Sequence, residues 1–193
     1  MLFVKKNKKF EDLSDIELFN LLKKDKKESP EAFKELYSRY SNRIYAYCRR
    51  FVGYKEEAED IFQDTFKKFF EAAQQEREMT NVFGFILKIA RNLCINSKRN
   101  QKRTIEIDDS LPKTTKSRQY KDEMLDLIKQ AIEELPAEYK DVLILREYQG
   151  LSYIEIAEMT NLSLGTVKVR IFRAKDKIRN ILKPYMEEFS KFS

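Results

Sequence analysis

Leu151-Ser152-Tyr153-Ile154-Glu155-Ile156-Ala157-Glu158-Met159-Thr160-Asn161-Leu162-Ser163-Leu164-Gly165-Thr166-Val167 holds two helix starts with a break between them. Ser152 followed by Glu155 is a capping box, in which the hydroxyl reaches forward to a free helical N–H and the carboxylate reaches back. A short helix then runs through Met159. Thr160-Asn161-Leu162 interrupts it, and Asn accepts the left-handed backbone that strains most residues. Ser163 caps the next helix. Ala157 is small where two helices must cross closely, and Leu162 and Val167 supply the apolar contacts that set the crossing angle. This spacing is what a helix-turn-helix needs, and it predicts one from Ser152 to Asn180.

On the second helix, Leu164, Val167, Ile171, Ala174 and Ile178 fall on one side. The other side presents Gly165, Thr166, Lys168, Val169, Phe172 and Arg173, with Ser163 at the capping end. Seven Lys or Arg lie between Ser163 and Lys183, against one acid, Asp176. A basic helix alone would read as a solvated surface hairpin. Capping, small-residue spacing and charge asymmetry coincide here, and together they point to duplex DNA. The N-terminal end would enter the major groove while the cations meet phosphates.

Helical spacing extends over nearly the whole chain, and no period-two strand pattern stands out. Ser14 with Glu17 is a second capping box. Ser29-Pro30 reads as an N-cap followed by Pro at the first helical position. From Phe33 to Phe51, apolar residues recur every three or four positions, and Gly53 supplies a stop. Further helices are expected from Lys55 and over Asn81 to Asn100. The composition then turns polar between Gln101 and Lys121, which is linker composition. Periodicity resumes at Met124, Pro136 starts another helix, and Gly150 ends it. The expected fold is all-α: two small helical domains, 1–100 and 122–193, joined by a flexible linker, 101–121.

Composition narrows the chemistry. A chain that is 36% charged yet 42% hydrophobic, with 14 Phe and 10 Tyr, is too apolar for a disordered polymer. The net charge of +6 favours a polyanionic partner. The absence of His removes the commonest general base and metal ligand. The four glycines are isolated, so no phosphate-cradling loop exists. Cys48 and Cys94 form no metal-ligand pattern and read as free buried thiols in a reducing compartment. No stretch has the length and apolarity of a secretory or membrane-spanning segment. We expect a cytoplasmic, non-enzymatic protein without cofactor, metal or membrane insertion.

The N-terminal half carries two contrasting faces. On the helix from Lys55, Glu56, Asp60, Gln63 and Asp64 share one side, while Ile61, Phe62, Thr65, Phe66 and Phe69 share the other. An acidic stripe repels phosphate, so it suits a basic protein partner or bulk solvent. From Met79 to Ile105 there are six Lys or Arg and no acid. There Phe85, Lys88, Asn92, Asn96 and Arg99 project into one sector, opposite Ile86, Ala90 and Leu93. A ring, two amides and two cations suit single-stranded DNA, although Phe85 reads equally well as core.

Several linked motifs resemble one family. Leu135-Pro136, Gly150-Leu151-Ser152-Tyr153, Glu155-Ile156-Ala157 and Gly165-Thr166-Val167-Lys168-Val169-Arg170 resemble region 4 of sigma-70 family factors, with Val169 standing where a Ser is common. Ala58-Glu59-Asp60-Ile61-Phe62-Gln63-Asp64 and Phe85-Ile86-Leu87-Lys88-Ile89-Ala90-Arg91-Asn92 resemble region 2, with Phe85 in place of the usual Trp and Asn96 in place of a frequent Asp. The two regions are joined only by a linker, with no region 1.1 or intervening domain, a layout similar to the extracytoplasmic-function (group IV) type.

The resemblance implies an alternative sigma factor. Its partners would be core RNA polymerase, at the β′ clamp helices and β flap, promoter DNA, and an anti-sigma factor. It assigns Glu59, Asp60, Gln63 and Asp64 to polymerase docking. Phe85, Lys88, Arg91, Asn92, Asn96 and Arg99 would hold the melted minus-ten strand, with the loop from Gln75 to Asn81 helping to hold a flipped base. Ser163, Thr166, Lys168, Val169, Arg170, Phe172 and Arg173 would contact the minus-thirty-five element. The residues alone leave open a stand-alone helix-turn-helix regulator or a carboxylate-dependent nuclease.

Overall fold

Local hydrogen bonds place most helix boundaries. The computed structural model describes residues 10–24, 27–75, 79–105 and 120–189. Among the described residues, a short 3-10 turn at Phe10–Asp12 precedes α1 (Asp15–Lys24), α2 (Ser29–Val52), α3 (Lys55–Ala73) and α4 (Val82–Ile105). Then come α5 (Tyr120–Glu133), α6 (Ala137–Glu147), α7 (Tyr153–Thr160) and α8 (Leu164–Phe189). The fold class is all-α, as expected. Among the described residues, one compact unit comprises 10–48 and 54–93, and a second comprises 49–53 and 94–189. Residues 106–119, most of the expected linker, lie outside the described residues.

In the first unit, the Ser14 capping box is closed in both directions. Ser14 N–H donates to Glu17 Oε2 at 2.8 Å, and Glu17 N–H donates to Ser14 Oγ at 3.3 Å. Arg39 on α2, braced by Glu35 of its own helix at 2.7 Å, then holds the start of α1 in place through Asp15 at 2.8 Å and the Glu11 carbonyl at 3.0 Å. Tyr40 donates its hydroxyl to the same Asp15 carboxylate. Burial, reinforced by that carboxylate, pushes the Tyr40 phenol up to about 12. The core is made by Leu18, Phe19 and Leu22 of α1, Leu36, Ile44 and Tyr47 of α2, Phe66 and Phe69 of α3, and Ile86, Leu87 and Ala90 of α4, all buried. Each large side chain of this set contributes about 1.5–3 kcal/mol by leaving water.

In the second unit, α8 packs against α5, α6 and α7. Ile132, Leu135, Leu143 and Ala174 form a core cluster, with Ile128, Tyr139 and Ile178 against it. Helix α6 is buried from Lys140 to Leu145, including the two charged residues Lys140 and Asp141. Lys140 Nζ donates to the Glu133 carbonyl at 3.0 Å, capping the end of α5. Burial lowers its pKa from 10.5 to about 8, and the charge of Lys98 adds to the effect.

Several sequence expectations need correction. Ser29 does not cap α2: the Glu28 carbonyl accepts the Ala32 N–H at 3.0 Å, while the buried Ser29 hydroxyl turns to the Leu22 carbonyl at 3.5 Å. Leu164, the first residue on the apolar side of α8, remains 40% exposed, so the buried side begins at Val167. Leu93 is only partly buried, and the buried side of α4 is completed by Leu87 and Cys94. Helix α8 continues past the expected Asn180 to Phe189. Pro184 lies inside that helix, where it removes one N–H, yet the helix persists with Leu182 buried just before it. Cys48 and Cys94 are buried and form no disulfide with each other, as expected.

Candidate nucleic-acid and partner interfaces

The second unit carries the helix-turn-helix, and its two helices are aimed by local bonds. Ser152 Oγ accepts the Glu155 N–H at 3.2 Å while Ser152 N–H donates to Glu155 Oε2 at 2.7 Å. These Ser152 bonds hold the Glu155 carboxyl below its ordinary range. Helix α7 stops at Asn161, whose φ of 55° and ψ of 35° are left-handed. The Leu162 N–H then returns to the Ala157 carbonyl at 3.1 Å. Ser163 Oγ accepts the Thr166 N–H at 3.1 Å and lies 2.8 Å from the Thr166 hydroxyl, which caps α8. Val167, Ile171 and Ala174 are buried beneath it.

The outward side of α8 presents the predicted contact residues. Ser163, Lys168, Val169, Phe172 and Arg173 are exposed, and Thr166 is half-buried. Arg170 differs from the rest. Its guanidinium pairs with Glu138, in the first turn of α6, at 2.8 Å. Between α6 and α8 lies an open groove of about 540 Å³, lined by Glu138, Tyr139, Ser163, Gly165, Thr166, Val169, Arg170 and Arg173. Farther along α8, Lys175 pairs with Glu147 at 2.8 Å. Lys168 and Arg173 make no ion pair among the described residues.

In the first unit, α3 separates charge from apolar surface. Asp60, Gln63 and Asp64 are exposed, and Glu59 is half-buried with a long 3.8 Å contact to Lys55. Ile61, Thr65, Phe66 and Phe69 are buried on the other side. On α4, Asn81 Oδ1 accepts the Gly84 N–H at 2.8 Å and so caps the helix. A Cβ on Gly84 would stand 2.8 Å from the Asn81 amide, so the cap requires a glycine there. Beyond it, Lys88 and Asn92 are exposed and Arg91 is half-buried; Asn96 and Arg99, exposed as well, stand on the later part of the helix, which groups with the second unit. Phe85 is half-buried and meets Phe69 edge-on at 6.1 Å, so one edge belongs to the core and the rest remains reachable. Residues 76–78 of the loop assigned to a flipped base lie outside the described residues.

Comparison with known proteins accounts for both units. The family model for sigma-70 region 2 matches residues 36–104, and that for sigma-70 region 4 matches residues 125–178. The ECF RNA polymerase sigma factor SigW of Bacillus subtilis is 30% identical, covering 84% of this chain and 95% of its own length. The chain belongs to the sigma-70 family. Its group within that family is the extracytoplasmic-function type. Two solved structures share the fold. The sigma factor RpoE, solved in complex with the anti-sigma factor NepR from Bartonella quintana, matches with a TM-score of 0.66 at 25% identity, over 78% of this chain and 96% of that one. CnrH, solved in complex with the cytosolic domain of CnrY, matches with a TM-score of 0.67 at 20% identity, over 88% and 97%.

The sigma factor also has features that sequence reading missed. Arg43 stacks on Phe83 at 3.8 Å, and Tyr40 lies 5.2 Å from the same ring. An apolar groove of about 390 Å³ is lined by Pro30, Phe33, Phe66, Lys67, Phe70 and Glu71. Glu138 sits on the groove beside α8. All three join residues distant in sequence, so no local pattern announces them. Among the described residues no His, Cys, Asp or Glu cluster could hold a metal, and no helix is long and apolar enough to cross a membrane.

Proposed function

We infer that this chain is an alternative sigma factor that binds core RNA polymerase, directs it to particular promoters and helps open the DNA there. The observation that carries this reading is that the chain exposes faces of opposite character: α3 exposes Asp60, Gln63 and Asp64, while α4 exposes Lys88, Asn92, Asn96 and Arg99. A stand-alone DNA binder has no use for an acidic stripe as well as a basic one. A factor that holds protein and nucleic acid together does.

In this mechanism Glu59, Asp60, Gln63 and Asp64 dock on the β′ clamp helices, and the second unit engages the β flap. The exposed side of α8 finds the minus-thirty-five element as duplex: Ser163, Thr166, Lys168, Val169, Phe172 and Arg173 face it, with Arg170 among them but tied to Glu138. Phe85, Lys88, Arg91, Asn92, Asn96 and Arg99 then take up bases of the minus-ten strand, by stacking, amide contacts and phosphate pairing. Capture of unstacked bases supplies the free energy of opening, so the protein acts by binding rather than catalysis. The domain division is 1–100 and 122–193 with a tether at 101–121, and the work is cytoplasmic, where polymerase and DNA are. An anti-sigma factor is a further partner, supported by the related RpoE having been solved with one.

Run-off transcription with core polymerase on a genomic fragment library tests the reading. Factor-dependent start sites are expected. Well-folded protein that yields none would sink it.

A further inference from the structure

Val169 points away from the core of the second unit. At about 100° per residue, Val167, Ile171, Ala174 and Ile178 cluster around one line of α8, and Val169 lies opposite its centre. It is 48% exposed, and Phe172, its neighbour on that side, is 69% exposed. One turn earlier stands Gly165, where an added Cβ would meet nothing nearer than Ser163 Oγ at 3.9 Å. The tip of the helix can therefore approach a surface closely. Lys168 and Arg173 flank the two apolar side chains, so what covers them is a polyanion rather than an apolar protein face.

Within the major groove the base edges are polar with one exception, the 5-methyl group of thymine. A valine can neither donate nor accept a hydrogen bond, so what it offers a base edge is apolar contact. Resting on the promoter-binding reading above, we propose that Val169 and Phe172 form an apolar strip that reads thymine methyl groups in the upstream element. Cations and hydroxyls position the helix, and the strip selects T·A pairs at the positions it faces.

The test uses holoenzyme assembled from core polymerase and the full chain. Upstream duplexes are selected from a randomised library, then resynthesised with deoxyuridine for thymidine at each position in turn. Loss of one contacted methyl should weaken binding by roughly fourfold. Val169→Ser and Phe172→Ser, both at exposed positions, should each bind the selected element more weakly than wild type and lose the deoxyuridine sensitivity at one position. Wild-type holoenzyme indifferent to deoxyuridine throughout the selected element would overturn the proposal and leave promoter binding standing. If no sequence were selected at all, the role of α8 as duplex reader would fall, and this proposal with it.

Discussion

Helices α8 and α4 both turn a basic face outward, yet they are held in different ways. Around α8, Arg170 is tied to Glu138 and Lys175 to Glu147, each at 2.8 Å, and the helix start is bonded through Ser163. On α4 the start is bonded too, through Asn81, but the exposed cations Lys88 and Arg99 make no ion pair among the described residues. A duplex is a stiff object with fixed edge positions, so a helix that reads it gains from being fixed too. A single strand adapts its own shape, so its binder needs a ring and accessible charge more than rigidity. The comparison teaches that similar charge can serve two modes of recognition, with the difference lying in what pins each helix.

The largest expected effect breaks the comparison by charge. Lys168→Glu with Arg173→Glu should weaken duplex binding on the order of a hundredfold at moderate salt and flatten its salt dependence. Lys88→Glu with Arg99→Glu should spare duplex binding and impair capture of a premelted strand. Fluorescence anisotropy with both probes checks this. Equal losses on both probes for either pair would merge the two modes.

A second prediction concerns the support beneath α8. Lys140 has a folded pKa of about 8 against an ordinary 10.5. The unfolded chain therefore binds more protons between those values, so stability rises with pH across that window, by an amount on the order of 3 kcal/mol. Below pH 8 the cost of the buried charge is fully present. Lys140→Met should remove the rise, as read from urea unfolding between pH 7 and 11.

Smaller effects sharpen the account of pinning. Ser152→Ala opens one side of the capping box that positions α7 and should cost about 1 kcal/mol in urea unfolding. Glu138→Gln frees Arg170. Because Glu138 is half-exposed, the stability loss should stay below about 1 kcal/mol. Discrimination among duplex sequences should narrow more than affinity does. Unchanged discrimination in a sequence-selection assay would show that the pair does not position α8.

Local features were the ones legible before any coordinates. Ser152 with Glu155, Ser14 with Glu17, the left-handed Asn161 and the Gly53 stop each depend on bonds spanning three or four residues, and all are present. Ser29 misled because its hydroxyl found a nearer partner across a turn, in the Leu22 carbonyl. Leu164 misled because periodicity gives the direction of a side chain but not how deeply it is buried. The Arg170 pair with Glu138 spans more than thirty positions, beyond any pattern in the chain.

Residues close together in the chain settled the helices, the capping boxes at Ser14 and Ser152, the turn between α7 and α8, and the sign of charge on each face. These follow from backbone hydrogen bonding and the helical repeat, which act over a few residues. Packing between distant segments decided which cations stay unpaired, which edge of Phe85 the core takes, and that Arg170 is held by Glu138. In those outcomes burial and pairing are settled by what lies across the interface rather than by what lies next in the chain.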